Sequence, residues 1–221
     1  MFKIALDGPS GSGKSVMARA VAERLNILYV DTGALYRAIG LYMFRNGIDV
    51  NDNEAVSSNL KNIALELNHS DEGQVVLLNG ENVNKDIRLP EISMYASKVS
   101  AIPEVRAFLL DIQRATAEKN NVIMDGRDIG TVIFPDAQVK IFLFARDEVR
   151  AMRRYKELTE KGIETTFEEV LSDMQKRDEN DRTRSIAPAV PADDAIMLDS
   201  SDLNIEETIS KILGIIDETL K

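Results

Sequence analysis

The chain has 221 residues, 44% hydrophobic and 29% charged, a globular composition with room for one α/β domain and a small insert. The absence of cysteine and a single histidine exclude a disulfide framework, a thiolate metal centre, a cysteine nucleophile and a paired-histidine acid–base site. A net charge of −10 without tryptophan argues against a nucleic-acid surface, and no apolar run reaches the ~18 residues of a membrane span.

Asp7 comes too early for a secretory leader, so a soluble cytoplasmic protein is expected. Phe2 to Leu6 reads as a buried strand ended by Asp7-Gly8-Pro9. A helix is expected from about Lys14, with Val16, Ala20 and Ala22-Leu25 as its inner face, Arg19, Glu23 and Arg24 outward, and Met17 as core filler. Residues 27–30 form a second strand, closed by Asp31-Thr32-Gly33. Leu35, Ile39, Tyr42 and Met43 then recur at helical spacing until Asn46-Gly47. This β-loop-α repeat points to a parallel sheet.

The middle differs. Residues 74–78, Asn79-Gly80 and 81–83 read as a hairpin with a type I′ turn, followed by helices over 90–101 and 103–118. An antiparallel hairpin within a parallel series suggests an insert, placed at 62–100 in a core of 1–61 and 101–221. Strands are expected again at 122–124, 139–144 and 195–198. The charged stretch 147–184 reads as two helices broken near Gly162. A closing helix carries Ile205, Ile209, Ile212 and Ile216, with Asn204 as cap and Glu207 at its third position. His69, between Asn68 and Ser70, reads as a surface loop residue. Much of the acidity lies at the end, where residues 185–221 hold two basic and eight acidic side chains.

Gly8-Pro9-Ser10-Gly11-Ser12-Gly13-Lys14-Ser15 fits the phosphate-binding loop pattern at every position. Its glycines let backbone N–H groups point into one concavity, and the helix after it adds a positive terminus. Lys14 suits the β- and γ-phosphates and the Ser15 hydroxyl suits Mg²⁺. Asp7 reads as a structural hydrogen-bond acceptor beside the loop. The loop alone fits both a slow nucleotide switch and a kinase. No Asn-Lys-x-Asp guanine-reading segment follows residues 139–146, which disfavours a small GTPase. A kinase for a small acceptor needs a second anion site, and seven of the 15 arginines lie in 146–184. Arg146 and Arg150, taken alone, fit a solvated helix face. The segment from Arg177 to Arg184 alternates Arg and Asp at a helix end. Strand ends also deliver Lys14, Arg37 and Arg127 to the edge where open parallel sheets bind ligands.

These segments together resemble the bacterial cytidylate kinases: the Gly8–Ser15 loop, Asp31-Thr-Gly-Ala-Leu-Tyr-Arg37, Asp125-Gly-Arg-Asp-Ile-Gly-Thr-Val-Ile-Phe-Pro-Asp136 and Arg177-Asp-x-x-Asp-Arg-x-Arg184. The resemblance is collinear over about 3–219. It implies an α/β P-loop three-layer fold with a five-stranded parallel sheet, a helical lid at about 148–166 and a monophosphate-side insert. It further implies transfer of the ATP γ-phosphoryl group to CMP or dCMP, with Mg²⁺. Ser97, Arg106 and Asp128 would hold the cytosine, Arg177 and Asp181 the ribose, and Thr32, Arg37, Arg127 and Arg184 the acceptor phosphate. Arg153 or Arg154 would clamp the transition state from the lid. Tyr36 is either core or site wall. A carboxylate at 128 can accept from the cytosine N4 amino group, whereas uracil offers only a lone pair there. The alternatives are another small acceptor (UMP, AMP, GMP or shikimate) or a nucleotide-binding switch. A monomer is expected.

Overall fold

Five short apolar runs form one sheet in the order β2-β6-β1-β7-β8. They are β1 (Lys3–Asp7), β2 (Leu28–Asp31), β6 (Val122–Gly126), β7 (Val139–Phe144) and β8 (Ile196–Asp199). β1 pairs in parallel with β6 and β7, and β7 with β8. Ile4, Ala5, Leu6, Ile123, Met124, Ile141 and Leu143 are buried on these strands, so they read as continuous apolar stretches. The α/β class expected from the sequence is thus the observed one. The computed structural model describes residues 1–70 and 73–221.

The chain divides into two compact units, Tyr29–Asn120 with Met1, and Phe2–Leu28 with Asn121–Lys221. In the second unit, α1 (Lys14–Leu25) follows β1, α6 (Asp147–Glu160) follows β7, α7 (Phe167–Thr183) precedes β8, and α8 (Ile205–Thr219) closes the chain. Gly162 separates α6 from α7 with φ 72°, at the expected break. Asn204 and Glu207 cap α8 reciprocally, as their spacing predicts. The inner face of α1 is Met17, Ala18, Val21 and Ala22; Met17 and Ala22 lie inside as expected, whereas Val16, expected there too, is 55% exposed and Ala20 is only half-buried.

The first unit contains α2 (Thr32–Arg45), α3 (Asn53–Asn59), α4 (Pro90–Val99) and α5 (Pro103–Ala115), with an antiparallel sheet of β3 (Leu65–Ser70), β4 (Gly73–Leu78) and β5 (Glu81–Asn82). Asn79 and Gly80 both take positive φ, 50° and 82°, as a type I′ turn requires. A Cβ on Gly40 of α2 would stand 2.9 Å from the Ala96 amide nitrogen of α4, so glycine sets the close approach of these helices. The core here joins Leu35, Ile39, Met43, Ile92, Val99 and Leu109.

One expectation changes. His69 is exposed but lies in β3, not a loop, with a ring nitrogen 3.3 Å from the Tyr29 carbonyl oxygen. Its strand alternates Leu65 and Leu67 with Glu66 and Asn68, a signal the polar composition masked. The sequence also gave no sign of α3.

Candidate active site

The register of the second unit explains why its functional side chains gather. Asp7 at the end of β1 lies opposite Gly126 at the end of β6, so the loops leaving both strands emerge at one sheet edge. β1 leads into the glycine loop. A Cβ on Gly8 would fall 2.0 Å from the Leu143 carbonyl oxygen, so only glycine lets the loop pass this close to β7. Lys14 opens α1 and is buried. Its ammonium donates to the Pro9 carbonyl at 2.6 Å and to Ser12 Oγ at 3.3 Å. Burial lowers its affinity for a proton and the charge of Arg127 adds to this, while Asp125, Asp7 and Asp178 oppose it. Arg127 and Lys14 therefore share one electrostatic environment. Ser15 donates to Asp125 Oδ2 at 2.8 Å.

β6 leads into Arg127 and Asp128. Arg127 Nε donates to Asp181 at 3.1 Å, and Arg184 stands 3.6 Å from Asp128 and 4.0 Å from Asp181. Asp128 and Asp181 are buried. Asp181 lies in the last turns of α7 and Arg184 caps its C-terminus. Arg184 Nε donates to the Ala187 carbonyl, which fixes the guanidinium against the chain as it leaves the helix. Arg177 is half-buried one helical turn earlier. Four of the expected acceptor-side residues in this unit, Arg127, Asp128, Asp181 and Arg184, thus form one network of alternating charge.

Two carboxylates that sequence reasoning did not single out belong here as well. Asp125 accepts from Ser15. Asp178 accepts from the Ser10 amide at 2.8 Å and from Arg150. Arg150 corrects the solvated-face reading: it is 3% exposed and donates to the carbonyls of Ala145 and Ser10 and to Asp147 and Asp178. Its neighbour Arg146 does sit on an exposed face, paired with Asp202. Arg153 donates to the Ser200 carbonyl at 2.8 Å and Arg154 to Glu157 at 2.7 Å, so the arginine of α6 whose bonds reach the glycine loop is Arg150. Sequence alone left one signal for this, the i,i+3 pair Asp147–Arg150 at the start of a helix.

The first unit carries the remaining expected residues. Thr32 starts α2, with Asp31 as N-cap accepting from the Ala34 amide at 3.1 Å. Arg37, one turn and a half later, donates to the Ile87 carbonyl at 3.0 Å. Tyr36 packs in the core, and the Arg106 guanidinium lies over its ring, 5.6 Å from the centroid. Arg106 is buried and donates to the Ser100 carbonyl at 3.1 Å. Ser97 is half-buried one turn before Ser100 on α4. Arg106 on α5 and Ser97 on α4 are thus linked through a single turn of backbone.

Known proteins resemble the chain over nearly its whole length. Residues 4–218 match the family described as cytidylate kinase. A cytidylate kinase of Carboxydothermus hydrogenoformans is 47% identical over 215 residues, covering 97% of both chains. One from Pasteurella multocida is 44% identical over 217 residues, covering 98% of this chain and 96% of that one. A sugar kinase structure from Janibacter sp. HTCC2649 has a TM-score of 0.50 at 18% identity, covering 98% of this chain and 95% of that one, a likeness of fold alone. The glycine loop, the Arg127–Asp128 turn and the family match over nearly the whole length agree: the chain belongs to the cytidylate kinase family.

Proposed function

We propose that the protein transfers the γ-phosphoryl group of ATP to CMP or dCMP, giving CDP or dCDP. The observation that carries this reading is the network of Arg127, Asp128, Asp181 and Arg184 at the same sheet edge as the glycine loop. Residues 8–15 hold the ATP phosphates. Ser97, Arg106 and Asp128 read the base, Arg177 and Asp181 hold the ribose, and Thr32, Tyr36, Arg37, Arg127 and Arg184 form the acceptor side. Residues 62–100 act as the acceptor-side insert, within the wider packing unit of Tyr29–Asn120.

The nucleophile is a phosphate oxygen of the acceptor. Its second pKa is near ~6, so it is largely ionised at neutral pH and needs no general base. That suits a chain with one histidine, exposed on β3. What the protein must supply is positive charge and position. Lys14 and Arg127 provide the first at the glycine loop. Arg153 or Arg154, in the lid, would join them on closure and exclude water. The donor set fits a divalent cation: Ser15 and Asp125 place hydroxyl and carboxylate oxygens together, the hard ligands that Mg²⁺ takes. Bound with ATP and held by these two residues, Mg²⁺ would neutralise phosphate charge. Among the described residues no cluster of three or more acidic or histidine ligands occurs, so the phosphates of ATP and water would complete its shell.

Among the described residues no helix is long and apolar enough to cross a membrane. We place the protein in the cytoplasm as a monomer acting on small nucleotides, without nucleic-acid or membrane partners. The test is an acceptor panel of CMP, dCMP, UMP, AMP, GMP and shikimate, with ADP release as readout. Turnover should be greatest with the two cytidylates, and Lys14→Ala should lower kcat by about two to three orders of magnitude. Stimulation by another acceptor alone, or undiminished turnover in the variant, overturns the assignment.

A further inference from the structure

The turn that follows Asp128 is capped by a residue remote in sequence. Residues Ile129–Ile133 form one wide helical turn, closed by Ile133 N–H donating to the Asp128 carbonyl and Phe134 N–H to that of Ile129. The first N–H groups of any such turn have no partner within it. The residue just before the turn, here Asp128, ordinarily accepts from the second or third of them, and aspartate is among the strongest caps. Asp128 does not cap this turn. Asp7 does: its two carboxylate oxygens accept from Ile129 N–H and Gly130 N–H, each at 2.8 Å. Asp7 is buried, and the two bonds satisfy one oxygen each.

We propose that Asp7 is a positioning residue for the base-reading carboxylate: by capping the 129–133 turn, it keeps Asp128 from doing so. This rests on the proposed role of Asp128 toward cytosine. With the cap supplied by β1, the Asp128 side chain turns toward Arg184, 3.6 Å away. Without it, two buried N–H groups would lack an acceptor, and the aspartate best placed to take the second of them, Gly130 N–H, is Asp128 itself. Asp7 is also the last residue of β1 before Gly8. One residue thus links the loop for ATP to the turn that presents the base reader.

The far side of the turn is less crowded. A Cβ on Gly130 would stand 3.4 Å from Asp7 Oδ2 and 3.2 Å from the Lys140 chain. Gly130→Ala therefore meets the carboxylate at ordinary contact distance and crowds mainly the Lys140 chain, so the milder perturbation of the cap is Asp7→Asn, which removes one acceptor.

The test is a double-mutant cycle on the full-length chain. Asp7→Ala should raise the KM for CMP by roughly tenfold and reduce preference for CMP over UMP, with the KM for ATP unchanged. Asp7→Asn keeps one acceptor and should fall between. In an Asp128→Ala background, Asp7→Ala should add nothing further to the KM for CMP, because it acts through a carboxylate no longer present. A purely structural Asp7 would instead give additive effects, or move both KM values together, and either result overturns the proposal. If Asp7→Ala fails to fold, Asp7→Asn is read in the same cycle, and an additive result there overturns it equally. Wild-type turnover with CMP is measured alongside. Its absence refutes the kinase reading, whereas normal CMP turnover with an additive cycle refutes only the role of Asp7.

Discussion

Asp7 illustrates how one buried charge is held in place. Burial pushes its pKa from 3.8 to about 6, and the charge of Asp128 adds to the rise. The Gly130 and Ile129 N–H groups and Lys14 pull it back. A carboxyl whose pKa is raised in the folded state keeps a proton that the unfolded chain has already lost. Its contribution is therefore present at pH below 3.8 and is lost as the pH climbs through about 6. That interval corresponds to about 3 kcal/mol. Asp7→Asn cannot titrate, so comparing the two proteins cancels every other group. Urea unfolding from pH 3.5 to 7 should show the wild type losing about 3 kcal/mol relative to Asp7→Asn, with most of the change between pH 4 and 6. Parallel stability curves for the two proteins would show that Asp7 titrates at the same pH in the folded and unfolded chains.

At the scale of elements, α6 and α7 hold the glycine loop through Arg150 and Asp178. Asp178 takes the Ser10 amide and Arg150 the Ser10 carbonyl, so both polar groups of one loop residue are fixed by side chains from these two helices. Arg150 and Asp178 also pair with each other. Removing one partner of a buried pair leaves the other charge uncompensated. Arg150→Ala should therefore cost about 3–5 kcal/mol in chemical denaturation. Arg146→Ala, on the exposed face of the same helix, should cost under about 1 kcal/mol. Equal, small losses would return Arg150 to the solvated face that its sequence suggested. That contrast marks what was legible beforehand. Strands β1, β6 and β7, the capping box of α8 and the turn at Asn79-Gly80 each depend on neighbours within a few residues, and their sequence signals were read correctly. Arg150, the wide turn at 129–133 and the edge strand with His69 depend on partners 28 to 140 positions away, such as Asp178 and Ser10, or on a sheet partner. No local pattern encodes those. The glycine loop was legible because its chemistry is confined to eight consecutive residues. Asp125 and Asp178 were not, because each acquires its role only from a hydroxyl or an amide brought to it by folding.

At the scale of the whole molecule, the residues proposed for the two nucleotides are distributed unequally. Those for ATP, residues 8–15, all lie in the second unit. Those for the acceptor occur in each: Thr32, Tyr36, Arg37, Ser97 and Arg106 in the first, Arg127, Asp128, Arg177, Asp181 and Arg184 in the second. The chain is acidic overall, at −10, so phosphate binding must come from local arginines and not from the general field. This distribution makes a prediction that separates recognition from stability. Ser97→Ala on α4 replaces a half-buried helix serine by the best helix former, and should leave stability unchanged or raise it. If Ser97 holds the base, the same change still removes a hydrogen bond to CMP and raises its KM by about five- to tenfold. Asp181→Asn in the second unit should raise the KM for CMP likewise. Neither should alter the KM for ATP by more than about twofold, because neither residue belongs to the glycine loop. Steady-state kinetics with each nucleotide varied in turn, alongside thermal unfolding, provides the measurement. A KM for CMP that does not move in Ser97→Ala, in a protein as stable as wild type, would remove the first unit's α4 from cytosine recognition and leave the base to Asp128 and Arg106.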